Sequence, residues 1–234
     1  MSEVERGAEC CRLHVDGGRW LSTGHRGGYR TADAATNLTV PTGFDRTDLE
    51  TYVTDRLAEA GFGTDGPALL TGVEMRHARA ATLGSVTVLA TVGLTNPAAL
   101  PISFDGETDR SLDGNDRQRP GTVNLLVGTD RALPDGTLAS LLATAVEAKA
   151  ATLQAATGFT GTTSDAIAVG CDPSGDPAAF AGSATAVGSA TRACVRDALL
   201  AGIESRYDAS DIPDSVADAD HGVVTDRSAS VFRP

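Results

Sequence analysis

Apolar positions along this chain keep two rhythms, and the stretch from Gly121 to Cys171 shows both. Val123, Leu125, Leu126 and Val127 form a short apolar run, which suits a buried strand. Pro134-Asp135-Gly136 marks a turn. Leu138, Leu141, Leu142, Ala145, Val146, Lys149 and Leu153 then recur at helical spacing, and Gly158 ends that helix. The polar segment Thr160 to Asp165 leads into a second strand, Ala166 to Val169. Elsewhere, Ser85 to Leu94 alternates and then runs apolar, so it reads as a strand, as does Ala35 to Val40. Arg12 to Thr23 reads as a hairpin turning at Asp16-Gly17-Gly18. Thr47-Asp48-Leu49-Glu50 has the form of a capping box. It opens a helix that carries Leu49, Val53, Leu57 and Ala60 inward and closes at Gly61. Ala178 to Ser205 predicts a second long helix, with Phe180, Val187, Val195, Leu199 and Ile203 among its apolar positions.

Strands and helices in this order predict an α/β (mixed α+β) protein, a layered sandwich of mixed β-sheet with packed long helices in a single domain. Residues 1–11 read as a flexible N-terminus, 12–207 as the domain, and 208–234 as an acidic, strand-free C-terminal tail. Pro101 to Pro120 is polar and charged, a surface loop. A length of 234 residues with 41% hydrophobic side chains is enough for one core, and 4% aromatics leave that core to Ala, Val, Leu and Ile.

The formal charge of -12 argues against nucleic acid or an anionic membrane as partner, since both call for a basic face. Lys149 is the only lysine among 19 basic residues, and Asp outnumbers Glu by 22 to 9. This is the habit of halophilic archaeal proteins: a hydrated acidic surface stays soluble when salt screens charge. Cys10, Cys11, Cys171 and Cys194 form no CxxC pair and have no His at metal spacing, so they read as buried thiols of a reducing cytoplasm. No apolar run is long enough to span a membrane, and the acidic N-terminus lacks a signal-peptide core.

Several polar groups can carry chemistry. His77 can shuttle protons, with Glu74 three residues earlier to orient it; the same spacing also describes a surface pair. A single ExxH, without a second copy, does not make a metal site. His25 and Arg26 sit among glycines that let backbone approach a ligand closely, and Arg26 can hold a carboxylate or phosphate. Asn37, Asn96 and Asn124 lie at strand ends or interiors, where they either bind a ligand's amides or tie loops together. Thr162, Thr163, Ser164 and Asp165 make the densest group for a nucleophile or oxyanion hole, or an ordinary turn. Lys149 can lose its proton when desolvated, which Arg cannot; it also fits an exposed helical position beside Glu147. If the strands around this helix run parallel, Thr129-Asp130 and the Thr160–Asp165 turn can converge at the sheet's C-terminal edge. His14 and His221 read as incidental. No G-x-S-x-G elbow, Walker A loop or Rossmann fingerprint occurs.

Four segments, RWLSTGHRGGY (Arg19 to Tyr29), AATNLTVPTGF (Ala34 to Phe44), LLTGVEMRHARAATLGSVTVLATVGLTNPA (Leu69 to Ala98) and the Gly121–Cys171 stretch, resemble the adenosylcobinamide amidohydrolase family of corrinoid salvage. The resemblance runs from Arg19 to Tyr207. It implies hydrolysis of the amide joining the corrin propionate side chain to aminopropanol, yielding adenosylcobyric acid for cobalamin (vitamin B12) synthesis. The substrate then brings its own cobalt and adenosyl group, and the protein needs no cofactor or metal. On this reading His77, Glu74, Lys149, Asp165, Thr162 and Thr163 are catalytic candidates, and His25, Arg26, Asn37, Asn96 and Asn124 bind the corrinoid. A fifty-residue likeness of the Gly121–Cys171 stretch to self-processing β-aminopeptidases implies a small-amide hydrolase cut into two chains, but that group's cleavage segment finds no match here. A non-catalytic corrinoid carrier and a structural domain are the other readings.

Overall fold

The computed structural model describes residues 2–25, 27–102, 121–208, 211–219 and 221–234. In chain order the first strands are β1 (Glu3–Arg6), β2 (Cys10–His14), β3 (Arg19–Ser22), β4 (Gly28–Thr31) and β5 (Ala34–Thr39). Helix α1 (Leu49–Glu59) leads to β6 (Ala68–Thr71), β7 (Arg79–Leu83), β8 (Val86–Val92) and β9 (Pro97–Ala99). Then come β10 (Val123–Thr129), α2 (Asp135–Thr157), β11 (Gly161–Thr162), β12 (Ala166–Cys171), α3 (Ala186–Arg206) and β13 (Val223–Val224).

The six-stranded sheet has the order β4-β3-β12-β10-β8-β7, and the four-stranded sheet the order β1-β2-β5-β6. Each strand's pleat sends alternate side chains to opposite faces. Val86, Val88, Ala90 and Val92 of β8 therefore join Val123, Leu125 and Val127 of β10 in a core under α2 and α3. Leu89, Leu126 and Ala168 point the other way and meet Cys11, Leu13 and Trp20 between the sheets. The far side of the smaller sheet packs Cys10, Leu38 and Ala68 on Val53 and Leu57 of α1. The result is four layers: helices, sheet, sheet, helix. Every residue of β8 and β10 is buried, which follows from having both faces covered.

The layers form at the cost of close approaches. Gly170 of β12 lies flat against the Trp20 ring, where a Cβ would come within 2.5 Å of Cε3. The Trp20 indole donates to the Ala32 carbonyl at 2.9 Å, so its one polar atom is satisfied inside the core.

The periodic readings around β8, β10, α2 and β12 agree with the structure, and Gly158 closes α2 at a φ of 78°. Other expectations need correction. Arg12 to Thr23 is no hairpin: β2 and β3 belong to different sheets, and the Asp16-Gly17-Gly18 turn carries the chain between them. Residues Glu3–Arg6, placed in the flexible N-terminus, pair antiparallel with β2. The tail expected to lack strands contributes β13, which pairs in parallel with β9. The second long helix starts at Ala186, capped by the Thr185 hydroxyl accepting from the Gly188 N–H at 3.0 Å; Phe180 lies outside it and is exposed. No side chain caps α1, so the capping box does not form. Within the surface loop expected at 101–120, positions 103–120 fall outside the described residues. No helix among the described residues is long and apolar enough to cross a membrane.

Candidate active site

Strands β10 and β12 run parallel, with Asn124 opposite Ala166 and Thr129 opposite Cys171. Their first residues therefore share one edge, and the Thr160–Asp165 turn lies at that N-terminal edge. Thr129 and Asp130 lie at the other end, so the convergence expected at the C-terminal edge does not occur. At the N-terminal edge a cleft of about 680 Å³ opens between the sheets. Thr122, Ser164, Asp165 and Ala166 line one wall; Val40, Leu70 and Gly72 of the smaller sheet line the opposite one. His25 and the loop from Phe44 to Leu49 complete it.

Asp165 is the most heavily bonded group here. Its Oδ1 accepts from the Val123 N–H at 2.9 Å and the Thr162 hydroxyl at 2.5 Å. Its Oδ2 accepts from the Thr162 N–H at 3.1 Å and from the Lys149 ammonium. Lys149 is not an exposed helical position: α2 drives it inward, and only 9% of its side chain is exposed, against 12% for Asp165. Gly161 makes room for the pair, since a Cβ there would strike both charged groups. With four donors on two oxygens, Asp165 has no lone pair left for a substrate. The pair clamps the start of β10 to β11 and α2.

Beneath the cleft the asparagines knit the sheets together. Asn124 donates to Asn37 Oδ1 at 2.9 Å and to the Leu70 carbonyl at 2.9 Å. Asn37 in turn donates to the Thr91 hydroxyl at 2.9 Å. Both are almost wholly buried, so their amides serve the fold and are not presented to a ligand. Asn96 donates to the Thr163 hydroxyl at 2.6 Å and lies against Gly121, but its own Oδ1 is buried without a donor.

His25 stands on the cleft wall, with Nε2 at 3.2 Å from a Glu50 carboxylate oxygen on α1. The capping-box spacing points Glu50 back to the helix start; from the first turn of α1 it reaches His25 instead. Arg46, at the mouth, pairs with Asp48 and holds that carboxyl below the usual range. Arg26 lies outside the described residues.

His77 and Glu74 do not line this cleft. His77 ends a 3-10 turn, Met75–His77, with Nδ1 at 3.1 Å from the Ser205 hydroxyl of α3 and Nε2 accepting from Arg76 at 3.0 Å. Burial, then the Arg76 and Arg206 charges, lower its pKa. Glu74 pairs with Arg76 at 3.1 Å. The structure thus brings together His25, Thr162, Lys149 and Asp165 and sets His77 and Glu74 apart. Thr122 and Glu50 join the site, although neither stands out in the sequence as a site residue. A lone threonine just before a strand carries no sequence signal; only the parallel pairing reveals it.

Residues 8–211 match the model of a family described as adenosylcobinamide amidohydrolase. An adenosylcobinamide amidohydrolase of Halobacterium salinarum is 56% identical over 224 residues, covering 95% of either chain. One from Methanosarcina mazei is 27% identical over 196 residues, 80% of this chain and 90% of its own. With the matched model spanning the cleft, its asparagine girders and the Lys149–Asp165 clamp alike, this chain belongs to the adenosylcobinamide amidohydrolase family.

Proposed function

We propose that the cleft hydrolyses the amide joining aminopropanol to the corrin propionate side chain of adenosylcobinamide, releasing adenosylcobyric acid and aminopropanol. The names carried by the two relatives support this substrate. The observation that carries this reading is the His25 imidazole, held by Glu50 in the cleft that Thr122 and Ser164 also line. Amide hydrolysis needs a proton taken from the attacking oxygen and one given to the leaving amine, and a positioned imidazole does both. Glu50 fixes the ring's orientation. The apolar wall of Val40, Phe44 and Leu70 suits the corrin's hydrocarbon edge, while the side chain to be cut reaches the hydroxyls.

The cobalt and the adenosyl group arrive with the substrate, so the protein supplies no metal or cofactor. The four free, buried cysteines fit a reducing cytoplasm, and the Halobacterium relative and the acidic, lysine-poor composition fit work at high salt.

Incubation with adenosylcobinamide in concentrated potassium chloride, followed by mass spectrometry, tests the reaction: adenosylcobyric acid appears. His25→Ala lowers turnover by about a hundredfold while the fold holds, the loss usual for an acid–base group. Corrinoid bound but never cut identifies a carrier, and full activity in His25→Ala removes His25 from the mechanism.

A further inference from the structure

Beside the Lys149–Asp165 clamp lies a peptide bond whose surroundings match those of an amide being hydrolysed. The carbonyl oxygen of Gly121 accepts from the Ser164 hydroxyl at 3.1 Å, with the Thr162 hydroxyl 3.3 Å away. A hydroxyl has one proton, and Thr162 places its own on Asp165 at 2.5 Å, so Ser164 is the principal donor. Ser164 in turn accepts from Asn96 at 3.5 Å.

The next residue supplies a nucleophile. Thr122 lines the cleft and immediately precedes strand β10. Its hydroxyl faces two acceptors, the Ser164 carbonyl at 2.9 Å and Asn124 Oδ1 at 3.0 Å. Its single proton lies between these two acceptors. Among the described residues no N–H or O–H donates to that oxygen, so its lone pairs remain free to attack. Gly121 is wedged on Thr95 and Asn96, where no Cβ fits, and Asn96 Oδ1 waits beside it without a donor.

We infer that Thr122 is the nucleophile of this enzyme and that its first substrate is the chain's own Gly121–Thr122 bond; the inference rests on the cleft being the hydrolytic site. The Thr122 oxygen adds to the Gly121 carbonyl carbon, and the oxyanion that forms is held by Ser164. The C–N bond breaks, the hydroxyl proton passes to the departing nitrogen, and Gly121 becomes an ester on the Thr122 oxygen. Water hydrolyses that ester, giving the Gly121 carboxylate, a free hydroxyl and a free α-amine on Thr122. One water is consumed and no bond is left open. The freed Thr122 hydroxyl then attacks the corrinoid amide, with His25 of the same cleft as its base.

The test is the intact mass of the full chain, purified and held folded in concentrated potassium chloride. The expected result is two tightly associated chains, residues 1–121 and 122–234, with Thr122→Ser also cut and Thr122→Val left whole. A folded wild-type protein that stays a single 23.9 kDa chain, or is cut at another bond, overturns the inference. A cut in Thr122→Val overturns it as well. Should Thr122→Val fail to fold, the wild-type masses decide alone. Turnover of adenosylcobinamide by an uncut chain would refute self-cleavage and leave the proposed reaction standing. A cut chain with no turnover would do the reverse.

Discussion

Replacing Lys149 by Met isolates the clamp that holds the cleft's edge. The two side chains are similar in length, so packing along α2 is largely kept and the lost quantity is the charge. Asp165, 12% exposed, is then an anion without its counter-ion. Breaking a buried pair by removing one partner costs about 3–5 kcal/mol. Asp165 keeps three donors, the Val123 N–H, the Thr162 N–H and the Thr162 hydroxyl, which places the cost near the lower figure, about 3 kcal/mol. Urea unfolding at constant potassium chloride reads it. With a slope of roughly 3 kcal/mol per molar for a chain of this size, the midpoint falls by about 1 M. The double variant, Lys149→Met with Asp165→Asn, removes the stranded charge and recovers part of the loss, a coupling of about 1–3 kcal/mol. A midpoint shift of Lys149→Met below about 0.3 M would put the pair among inert surface ion pairs, worth about 1 kcal/mol or less, and refute the clamp.

His77, with a pKa lowered mainly by burial, binds its proton less readily in the folded chain than in the unfolded one, so its contribution to stability is present above the unfolded value and is lost as pH falls through the folded one; urea midpoints between pH 7.5 and 5 decline more steeply for wild type than for His77→Gln. Because His77 is bound to Ser205 and does not line the cleft, His77→Gln retains turnover of adenosylcobinamide. Gly170→Ala presses a methyl into the Trp20 ring and destabilises by about 1–3 kcal/mol in the same urea assay, as overpacking does. All four thiols are buried and burial raises each, Cys11 to about 11, so a chromogenic disulfide reagent reacts with none in the folded protein and with four on unfolding.

How far the sequence carries depends on whether a signal is local. Strands β8, β10 and β12 and helix α2 are legible because their periodicity is set by burial on two faces or one stripe. The Arg12–Thr23 misreading shows the opposite case. Alternation makes Leu13, Val15 and Trp20 point to a common interior, as a hairpin would, yet that interior lies between two sheets and the strands never pair. Phe180 extended the apolar rhythm of α3 too far upstream, although Thr185 supplies the cap. At the site, Asp165 and His25 stood out by residue type among glycines and hydroxyls. Glu50 was hidden by its capping spacing, since nothing local says that α1 faces the Ser22–His25 turn. Thr122 was hidden because its meaning depends on the partner strand's direction.

The burial of Lys149 reaches into the handling of the protein. A chain with one lysine, and that one enclosed, offers no side-chain primary amine at its surface. Succinimidyl dyes and amine-coupled supports then find only amino termini to react with. Label stoichiometry in the folded state therefore counts termini, and a second amine that titrates without unfolding would announce a newly made chain end.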